Sequence, residues 1–424
     1  MTAPDHLRKG WCPGALRPMR SGDGLLLRIR PRAGALAASA LAVIAETAER
    51  FGSGEIELTN RANVQLRGLD EDTHASAIVY LNEARLIDAD VGIESVRNII
   101  VDPLSGLTPL HADVRPLADD LERLLASNVR LHQLPGKFGF SFSGSADPCL
   151  SERTTDIMLA VLDSKAAALV LDGEAAVEAV VSLDDAVAAI GKLAEAFLTM
   201  SRDGADHSRM ADAVAHHGAE RIFRDAGLRP SVRAPLPDAA LVRSVGRLVH
   251  EDKAFAVGIG FPFGRIDARG VRALHDAATR AGVAAVRVGP DRSFVFPIAD
   301  DGAAEELLAG ARQAGFVTDA DDPRLRLDVC SGAPGCANAT TRTREDAARL
   351  IDELGAALDV YSSIHVSGCQ KGCAHRGSAA LTLVAREGHY DAVFDGGPAD
   401  SAAVRGIEPE ALARVIGRVR GEWR

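Results

Sequence analysis

Two stretches of the chain show the same alternation of apolar and polar positions, and they align without a gap when Gly34 is placed on Gly264. Each begins with an apolar strand, passes through a glycine-containing turn into a segment with apolar residues at helical spacing, and ends in further strands. The first copy predicts a strand over 25–31, a helix over 36–51 and a strand over 55–58 that leads into 59–66. The second copy predicts a strand over 255–261, a helix over 266–281 and a strand over 285–288 that leads into 292–296. A repeat of this length predicts a duplicated α+β unit.

Glycine ends both predicted helices. Gly52 and Gly282 are each expected to form a left-handed cap. A weaker similarity links residues 140–144 with 364–368, because both are alternating segments that end in Ser-Gly. The chain is therefore predicted to be an α+β protein of two pseudo-symmetric halves, joined near the proline-containing stretch 227–237. A site between such halves would draw residues from both.

Composition narrows the class of protein. Of the 424 residues, 47% are hydrophobic and 25% charged, which is typical of a soluble globular protein with more than one domain. The net charge of −11 argues against a general nucleic-acid binder, which needs a basic face to neutralise phosphates. The opening residues lack the apolar run of a secretory signal, and the longest apolar stretch, 33–45, is shorter than the roughly 20 residues that cross a bilayer. We expect a cytoplasmic protein.

The first segment of the chain is basic although the total charge is negative. Its only acidic residues before position 33 are Asp5 and Asp23, and its basic residues are Arg8, Lys9, Arg17, Arg20, Arg28, Arg30 and Arg32. Arg28 and Arg30 alternate along a predicted strand and therefore share a face. This segment is suited to an acidic ligand, although a solvated basic surface explains the same composition.

Four of the six cysteines form two close pairs late in the chain. Cys330 and Cys336 are separated by five residues, Cys369 and Cys373 by three, and a predicted helix over 344–358 and strand over 360–366 lie between the pairs. Four thiolates are the usual ligands of a [4Fe-4S] cluster. The flanking glycines allow the backbone to approach the cluster sulfurs and donate N–H bonds to them. The spacing thus favours a [4Fe-4S] cluster on these four cysteines.

Two other interpretations of the paired cysteines stay open. One is a structural zinc site, although such sites usually space their paired ligands by two to four residues and rarely by the five found here. The other is a set of buried cysteines that bind no metal, which needs no particular spacing. The remaining cysteines, Cys12 and Cys149, have no close partner in the sequence. We expect these two to be buried thiols.

With these motifs, the chain resembles the sulfite and nitrite reductase family, in which the same cysteine spacing holds a [4Fe-4S] cluster beside a sirohaem. The similar stretches are Thr59 to Gln65, Arg97-Asn98 with Asp102-Pro103, and Leu134 to Phe138. The resemblance implies that Arg61, Arg97 and Lys137 surround tetrapyrrole carboxylates. It also implies two ferredoxin-like half-domains, at 1–80 and 238–300. Each is followed by a larger α/β domain of the reductase type. The first of these, at 81–230, lacks the cluster cysteines, and the second, at 301–424, carries the cluster.

Two glycines set the chain apart from typical reductases. Gly136 and Gly139 stand where the family's Leu-Pro-Arg-Lys-Phe-Lys motif has cations, so a dense proton supply for reducing a small oxyanion is missing.

The opening Gly10 to Pro13, the segment Met19 to Gly24, the run from Thr59 to Gly68 and the compact length most resemble a shorter branch of the family. That branch hydroxylates precorrin-3A with O2 in aerobic cobalamin biosynthesis and closes a lactone. The resemblance implies a mononuclear non-haem iron and no sirohaem. Because the sequence shows no nucleotide-binding fold, we expect electrons from NADH to arrive through a separate reductase. The resemblance implies neither a nucleic-acid nor a membrane partner.

The candidate residues follow from this resemblance and from the need of a carboxylate-rich macrocycle for bidentate arginine contacts. Candidates for substrate binding are Arg28, Arg30, Arg61, Gln65, Arg97, Asn98 and Lys137. Candidates for catalysis are Arg61, Lys137 and His375, with His365 and His375 as the best guesses for iron ligands. For each arginine a surface charge is the alternative, and for each histidine a packing role. A sirohaem-dependent sulfite or nitrite reductase and a non-catalytic iron–sulfur electron carrier remain as alternative functions.

Overall fold

The structure is a computed structural model, and it describes residues 12–145, 155–174, 176–202, 207–232, 244–375 and 377–422. The strands are β1 (Met19–Ser21), β2 (Gly24–Ile29), β3 (Ala35–Ala37), β4 (Glu55–Leu58), β5 (Val64–Leu69), β6 (Ile99–Val101), β7 (Phe140–Ser143), β8 (Ile157–Val161), β9 (Ala166–Leu171), β10 (Val177–Ser182), β11 (Ser231–Val232), β12 (Gly246–His250), β13 (Lys253–Gly260), β14 (Arg265–Asp267), β15 (Ala285–Val288), β16 (Ser293–Pro297), β17 (Leu327–Val329), β18 (Ile364–Ser367), β19 (Ala379–Arg386), β20 (His389–Gly396) and β21 (Val404–Ile407). The α-helices are α1 (Ala40–Phe51), α2 (Glu71–Glu83), α3 (Val91–Val96), α4 (Arg115–Ser127), α5 (Ala186–Arg202), α6 (Met210–His217), α7 (Ala219–Asp225), α8 (Ala268–Arg280), α9 (Asp301–Gln313), α10 (Thr343–Leu354) and α11 (Leu412–Glu422).

The two repeats form two similar sheets that exchange their edge strands. The first sheet has the order β1-β2-β5-β4-β14, and the second has the order β12-β13-β16-β15-β3. Strand β3 of the first repeat pairs with β15 of the second, and β14 of the second pairs with β4 of the first. Each sheet is therefore completed by the other half of the chain.

This exchange corrects the predicted helix starts. Helices were predicted over 36–51 and 266–281, but α1 begins at Ala40 and α8 at Ala268, because the residues just before them form the exchanged strands. Leu36 and Ile266 fit the apolar spacing of a helix, yet each pairs with a residue in the other half of the chain. A long-range pairing overrides the local periodicity here.

The two half-domain sheets share one hydrophobic core. Leu41 and Ile44 of α1 and Leu274 of α8 are buried in the same cluster as the apolar faces of both sheets. Helix α9, which begins where the sequence analysis placed a domain boundary, also packs into this core through Leu307. We therefore propose that the second half-domain extends past residue 300 to include α9.

A second kind of sheet occurs twice. In the first sheet of this kind, β6, β7 and β8 are parallel, and the sheet continues from β8 to β11 with antiparallel pairing. In the second, β17, β18 and β19 are parallel, and the sheet continues from β19 to β21 with antiparallel pairing. The similarity between residues 140–144 and 364–368 is confirmed, because β7 and β18 are the middle strands of the two parallel sets.

The predicted helix over 344–358 instead ends at Leu354 and continues as a 3-10 helix to Val360, which shortens the following strand.

The two glycine caps turn out differently. Gly282 follows α8 with a φ of 68°, so its left-handed conformation is confirmed. Gly52 has a φ of −132°, and the prediction there is wrong. Glycine is required at position 52 for another reason, since a Cβ would lie 2.4 Å from the carbonyl oxygen of Arg67.

None of the helices in the described ranges is both long enough and apolar enough to cross a membrane.

Candidate functional site

A row of polar side chains crosses the first half-domain sheet on one face. Arg28 pairs with Gln65, Gln65 with Glu57, and Glu57 with Arg265, each across neighbouring strands. Directly opposed side chains on neighbouring strands share a face. Arg28 Nε donates to Gln65 Oε1 over 2.8 Å, and Gln65 Nε2 donates to Glu57 Oε2. The alternate residues, such as Leu66, are buried in the core on the other face.

Glu57 is the buried centre of an ion-pair network. Its carboxylate accepts hydrogen bonds from Arg344 Nη2 and Arg265 Nη2 over 2.7 Å each and from Arg67 Nη1 over 3.1 Å. Burial alone would raise the pKa of Glu57, but the attraction of Arg344, Arg67 and Arg265 outweighs it and holds that pKa well below its ordinary value. Burial lowers the pKa of Arg344 to about 10 although Glu57 opposes the shift. Asp23 also accepts two bonds from Arg67.

The network fastens the first cysteine loop to the sheet. Arg67 Nη1 donates to Ser331 Oγ over 3.2 Å, and Arg67 Nη2 donates to the carbonyl oxygen of Gly335. Arg344 Nη1 donates to the carbonyl oxygen of Ser331 over 3.1 Å. The hairpin between β1 and β2 approaches the same loop so closely that a Cβ on Gly22 would lie 2.3 Å from the carbonyl oxygen of Pro334. Residues from both halves of the chain therefore meet at this site, as the repeat predicted.

The two cysteine loops follow neighbouring parallel strands. Cys330 comes directly after β17 and Cys369 two residues after β18, so both loops leave the same edge of the sheet. The amide of Gly368 donates to Cys330 Sγ over 3.1 Å, a contact of the kind expected for a cluster sulfur ligand. Burial raises the pKa of Cys369, and the thiols of Cys336, Cys373 and Cys330 raise that pKa further. The other three thiols are thus close enough to Cys369 to influence its charge.

The shape of the cysteine loops requires glycine. Gly332 has a φ of 65°, and a Cβ there would lie 2.4 Å from Thr343 Oγ1. Gly372 has a φ of 57°, and a Cβ there would lie 2.9 Å from Pro398. Both loops therefore hold conformations that residues with a side chain rarely adopt.

Across the described part of the chain, no group of three or more His, Cys, Asp or Glu residues converges as it would to hold a metal ion.

A second cluster of charge surrounds Cys12, and we call it the cationic pocket: Cys12, Arg28, Arg30, Arg61 and Lys137. Arg28 Nη1 donates to Cys12 Sγ over 3.1 Å. Burial raises the pKa of the thiol, but the four cations together exceed that effect, so the pKa of Cys12 lies below its ordinary value. Cys12 is partly exposed, so the expectation of a buried thiol is wrong. Cys149, Arg8 and Lys9 lie outside the described residues.

Two glycines flank Lys137 of the cationic pocket and differ in their surroundings. Arg61 Nη1 donates to the carbonyl oxygen of Lys137 over 2.9 Å. A Cβ on Gly139 would lie 3.3 Å from the carbonyl oxygen of Asn98 and 3.6 Å from Arg61 Nη1, whereas a Cβ on Gly136 would meet no atom within 4 Å. A side chain would therefore be crowded at position 139 and would enter open space at position 136.

Three other predicted substrate residues lie beside the pocket. Each makes hydrogen bonds within the protein, although Asn98 Oδ1 has no partner among the described residues. Arg97 is 3% exposed and pairs with Asp88 over 2.7 Å and Glu122 over 3.4 Å. Asn98 Nδ2 donates to the carbonyl oxygen of Phe138 over 3.0 Å and so fixes the loop that carries Lys137. The amide of Gln65 bridges Arg28 and Glu57. Their contact with a substrate stays a prediction.

The two histidine candidates lie on the cluster side of the molecule. His375 Nδ1 is 2.8 Å from Asp328 Oδ2, and Asp328 also pairs with Arg292 over 3.2 Å. The ring of the buried His365 lies 5.7 Å from the ring of His375. The cations that influence Cys12, by contrast, come from the first half of the chain. A catalytic or iron-binding role for either histidine stays a prediction.

The sequence analysis did not pick out Glu57, Arg67, Arg265, Arg344 or Cys12 as site residues. For Glu57 and Arg67 a signal existed, because each is a charged residue at an alternate position of a strand that is otherwise buried. A charge in such a strand calls for a partner on the same face. For Arg344 and Cys12 the sequence shows no comparable signal.

Sequence comparison places these features in a family. A model of the nitrite/sulfite reductase ferredoxin-like half domain matches residues 17–84 and 248–314, and a model of the nitrite and sulphite reductase 4Fe-4S domain matches residues 92–233. The chain belongs to the nitrite/sulfite reductase family. Within it, the chain is 31% identical to a precorrin-3B synthase from Sinorhizobium sp, over 92% of this chain and 83% of that protein.

More distant relatives are reductases. A ferredoxin–nitrite reductase from Synechococcus elongatus is 26% identical over 89% of this chain and 79% of its own length. A sulfite reductase [ferredoxin] from Mycobacterium tuberculosis is 22% identical over 82% and 67%. The fold is also that of the Mycobacterium tuberculosis NirA protein, with a TM-score of 0.76 and 19% identity over 94% of this chain and 80% of that chain.

Replacing Glu57 by Gln should destabilise the protein strongly. The change removes the negative charge that compensates three buried or half-buried arginines, and breaking a buried ion pair in this way costs about 3–5 kcal/mol. Urea unfolding measures the loss. The matched control is Glu71→Gln, because Glu71 pairs with Arg20 at the surface and its loss should cost less than about 1 kcal/mol.

The same pair of proteins gives a pH test. The folded-state pKa of Glu57 lies below its ordinary value, so its contribution is fully present above the unfolded pKa of about 4.3. It is lost as the pH falls through the lower folded pKa. The stability difference between wild type and Glu57→Gln should therefore be constant from neutral pH to about pH 5 and shrink in more acidic solution. A difference that grows on acidification would contradict this assignment.

Proposed function

We propose that this protein hydroxylates precorrin-3A with one oxygen atom from O2 and closes a lactone, as a precorrin-3B synthase of aerobic cobalamin biosynthesis. The other oxygen atom leaves as water, which requires electrons from NADH and protons. Support comes from the 31% identity to a precorrin-3B synthase over most of both chains. The proposal also accounts for how the cationic pocket differs from a small-oxyanion site.

The observation that carries the proposal is the lack of cationic side chains at Gly136 and Gly139, on either side of Lys137 in the cationic pocket. The resemblance to reductases assigns cations to positions 136 and 139, but both are glycine here, and a Cβ at Gly136 would touch nothing within 4 Å. Two fewer cations weaken the proton supply that reduction of sulfite or nitrite needs. At Gly136 the same change leaves open space that the side chains of a larger substrate can use.

The cationic pocket supplies the binding groups for such a substrate. Precorrin-3A carries many carboxylates on a flat apolar ring, and each charge-assisted hydrogen bond contributes about 1.5–3 kcal/mol. Arg28, Arg61 and Lys137 are partly exposed and are the proposed carboxylate partners. Arg97 and Asn98 would act by holding the backbone that bears Arg30 and Lys137, because they donate to Arg30 O and Phe138 O.

We further propose that Cys330, Cys336, Cys369 and Cys373 hold a [4Fe-4S] cluster. The residues fit this group, since the Gly368 amide already donates to one sulfur and glycine turns shape both loops. When bound, the cluster supplies electrons one at a time. Arg67 and Arg344 hold the Cys330 loop against the sheet that carries the cationic pocket. A separate donor protein fits the reductase relatives named for ferredoxin.

Replacing Cys373 by Ala should remove a thiolate ligand and with it the brown absorbance, the iron content and turnover. The same outcome is expected for Cys330, Cys336 and Cys369. Iron and sulfide analysis of anaerobically purified protein measures the effect. Cys149→Ala is the matched control and should retain the cluster. Normal iron content in Cys373→Ala would refute the ligand assignment.

Replacing Arg61 by Ala should weaken the binding of precorrin-3A by about 1.5–3 kcal/mol, because a substrate carboxylate loses a charged partner. Cluster content should not change. The control is Arg123→Ala, because Arg123 lies on the surface of α4 and pairs there with the neighbouring Asp120. An unchanged dissociation constant in equilibrium titration would remove Arg61 from the pocket.

The reaction itself distinguishes the enzyme classes. Anaerobically purified protein should contain no extractable sirohaem. With precorrin-3A, a reductant and 18O2, mass spectrometry should show a product that is heavier by one labelled oxygen atom. Stoichiometric sirohaem, together with reduction of sulfite or nitrite at about 1 per second or faster, would replace this proposal by the reductase function. Failure to bind any tetrapyrrole would favour a non-catalytic electron carrier.

A further inference from the structure

Cys12 has a chemical environment that neither the proposed reaction nor the cluster uses. Its Sγ accepts a hydrogen bond from Arg28 Nη1 over 3.1 Å, and Arg30, Arg61 and Lys137 act on the same sulfur. It is partly exposed, as are Arg28, Arg61 and Lys137. A partly exposed cysteine in an electropositive setting is the kind that carries reactivity, whereas a structural cysteine is buried in apolar surroundings.

A buried group without a hydrogen-bond partner lies beside the thiol. Arg30 is 4% exposed, and its Nε has no hydrogen-bond partner within the described part of the chain. Arg30 follows Arg28 by two positions at the end of β2, so its side chain leaves on the same face. Buried polar groups are nearly always satisfied in folded proteins. The unpaired Nε is therefore a donor close to Cys12 that a further anionic or hydrogen-bonding group could satisfy.

The backbone after Cys12 is held firmly in place. The carboxylate of Glu94 accepts hydrogen bonds from the amides of Ala15, over 2.6 Å, and Leu16, over 3.0 Å. The amide of Arg28 donates to the carbonyl oxygen of Gly14 over 3.2 Å. Glu94 also approaches Gly14 so closely that a Cβ there would overlap its carboxylate. These contacts fix the turn that presents the Cys12 thiol to the cations.

We propose that Cys12 is present as a thiolate and is a modification site of the cationic pocket, where a peroxide converts it to a sulfenate. This inference rests on the proposed function only in assigning the same pocket to substrate carboxylates. The tendency of the thiol to ionise follows from the surrounding cations and from the hydrogen bond that Arg28 donates to Cys12 Sγ. Oxidation would place an oxygen-bearing anion where a carboxylate is to bind, and so would block the substrate.

The chemistry balances with hydrogen peroxide as the oxidant. The sulfur attacks one peroxide oxygen, an S–O bond forms and the O–O bond breaks. Sulfur loses two electrons, peroxide gains them, and the departing hydroxide takes a proton to become water. The sulfenate keeps the negative charge, which the same cations hold. A thiol reductant reverses the step, since the sulfenic state lies on the reversible part of the oxidation ladder.

Alkylation of the anaerobically purified holoprotein by iodoacetamide tests the thiolate. The rate at the peptide that contains Cys12 is followed by mass spectrometry across a pH series. Half of the maximal rate should be reached below about pH 8.5, the ordinary value for a cysteine thiol. Arg28→Gln and Arg61→Gln should each move that midpoint upward, whereas the surface control Arg123→Gln should leave it unchanged. A wild-type midpoint at or above the ordinary value would overturn the proposal.

Peroxide treatment tests the modification. Hydrogen peroxide should produce a dimedone-reactive sulfenate on the Cys12 peptide, and Cys12→Ser should abolish that label. An unlabelled Cys12 peptide in wild-type protein would refute the site. Uroporphyrin, a tetrapyrrole polycarboxylate, should slow both reactions at least several-fold, and a lack of protection would refute the shared pocket. Neither measurement needs turnover, so failure of the 18O2 experiment leaves this proposal standing, and failure here leaves the hydroxylation standing.

Discussion

The arrangement of the site depends on one buried carboxylate. Glu57 lies under three arginines that come from three different elements, and two of them also bond to the loop between Cys330 and Cys336. With Asp23 and Glu55 included, three carboxylates face three guanidinium groups, so the network is locally neutral. Burying charges costs free energy that their mutual attraction only partly returns. We infer that the network is retained for geometry, since it joins a strand of the first half-domain to a loop of the last domain.

The separation of two charge environments follows from this neutrality. On the same face of one sheet, the row from Arg28 to Arg265 begins in the cationic pocket and ends in the compensated network. Gln65, a neutral side chain, connects them through hydrogen bonds in both directions. Excess positive charge is thereby confined to the end of the row where Cys12 lies. An anionic ligand would be drawn to that end, and the cysteine loops lie at the other.

Much of the architecture could be predicted from the sequence because duplication leaves a signal that local propensity does not. The gapless repeat predicted strands over 55–58 and 285–288, and both are found with those bounds. The same reasoning could not show that residues 35–37 pair with the other half, since the apolar spacing there fits a helix equally well. Nor could it show the partners of Glu57, because Arg265 and Arg344 reach it from the second half of the chain. Cys12 has no distinguishing pattern in the sequence, and its charged environment comes from cations that only folding brings to it.

The exchange of edge strands has a consequence for synthesis on the ribosome. Strand β3 must wait for β15, and more than half of the chain is made between the two. At about 5–20 residues per second, the delay is on the order of tens of seconds. Throughout it β3 lacks its partner and the edge of β4 is uncovered, which is a template for pairing with other chains. The nascent protein is therefore expected to need a chaperone until its second half has emerged.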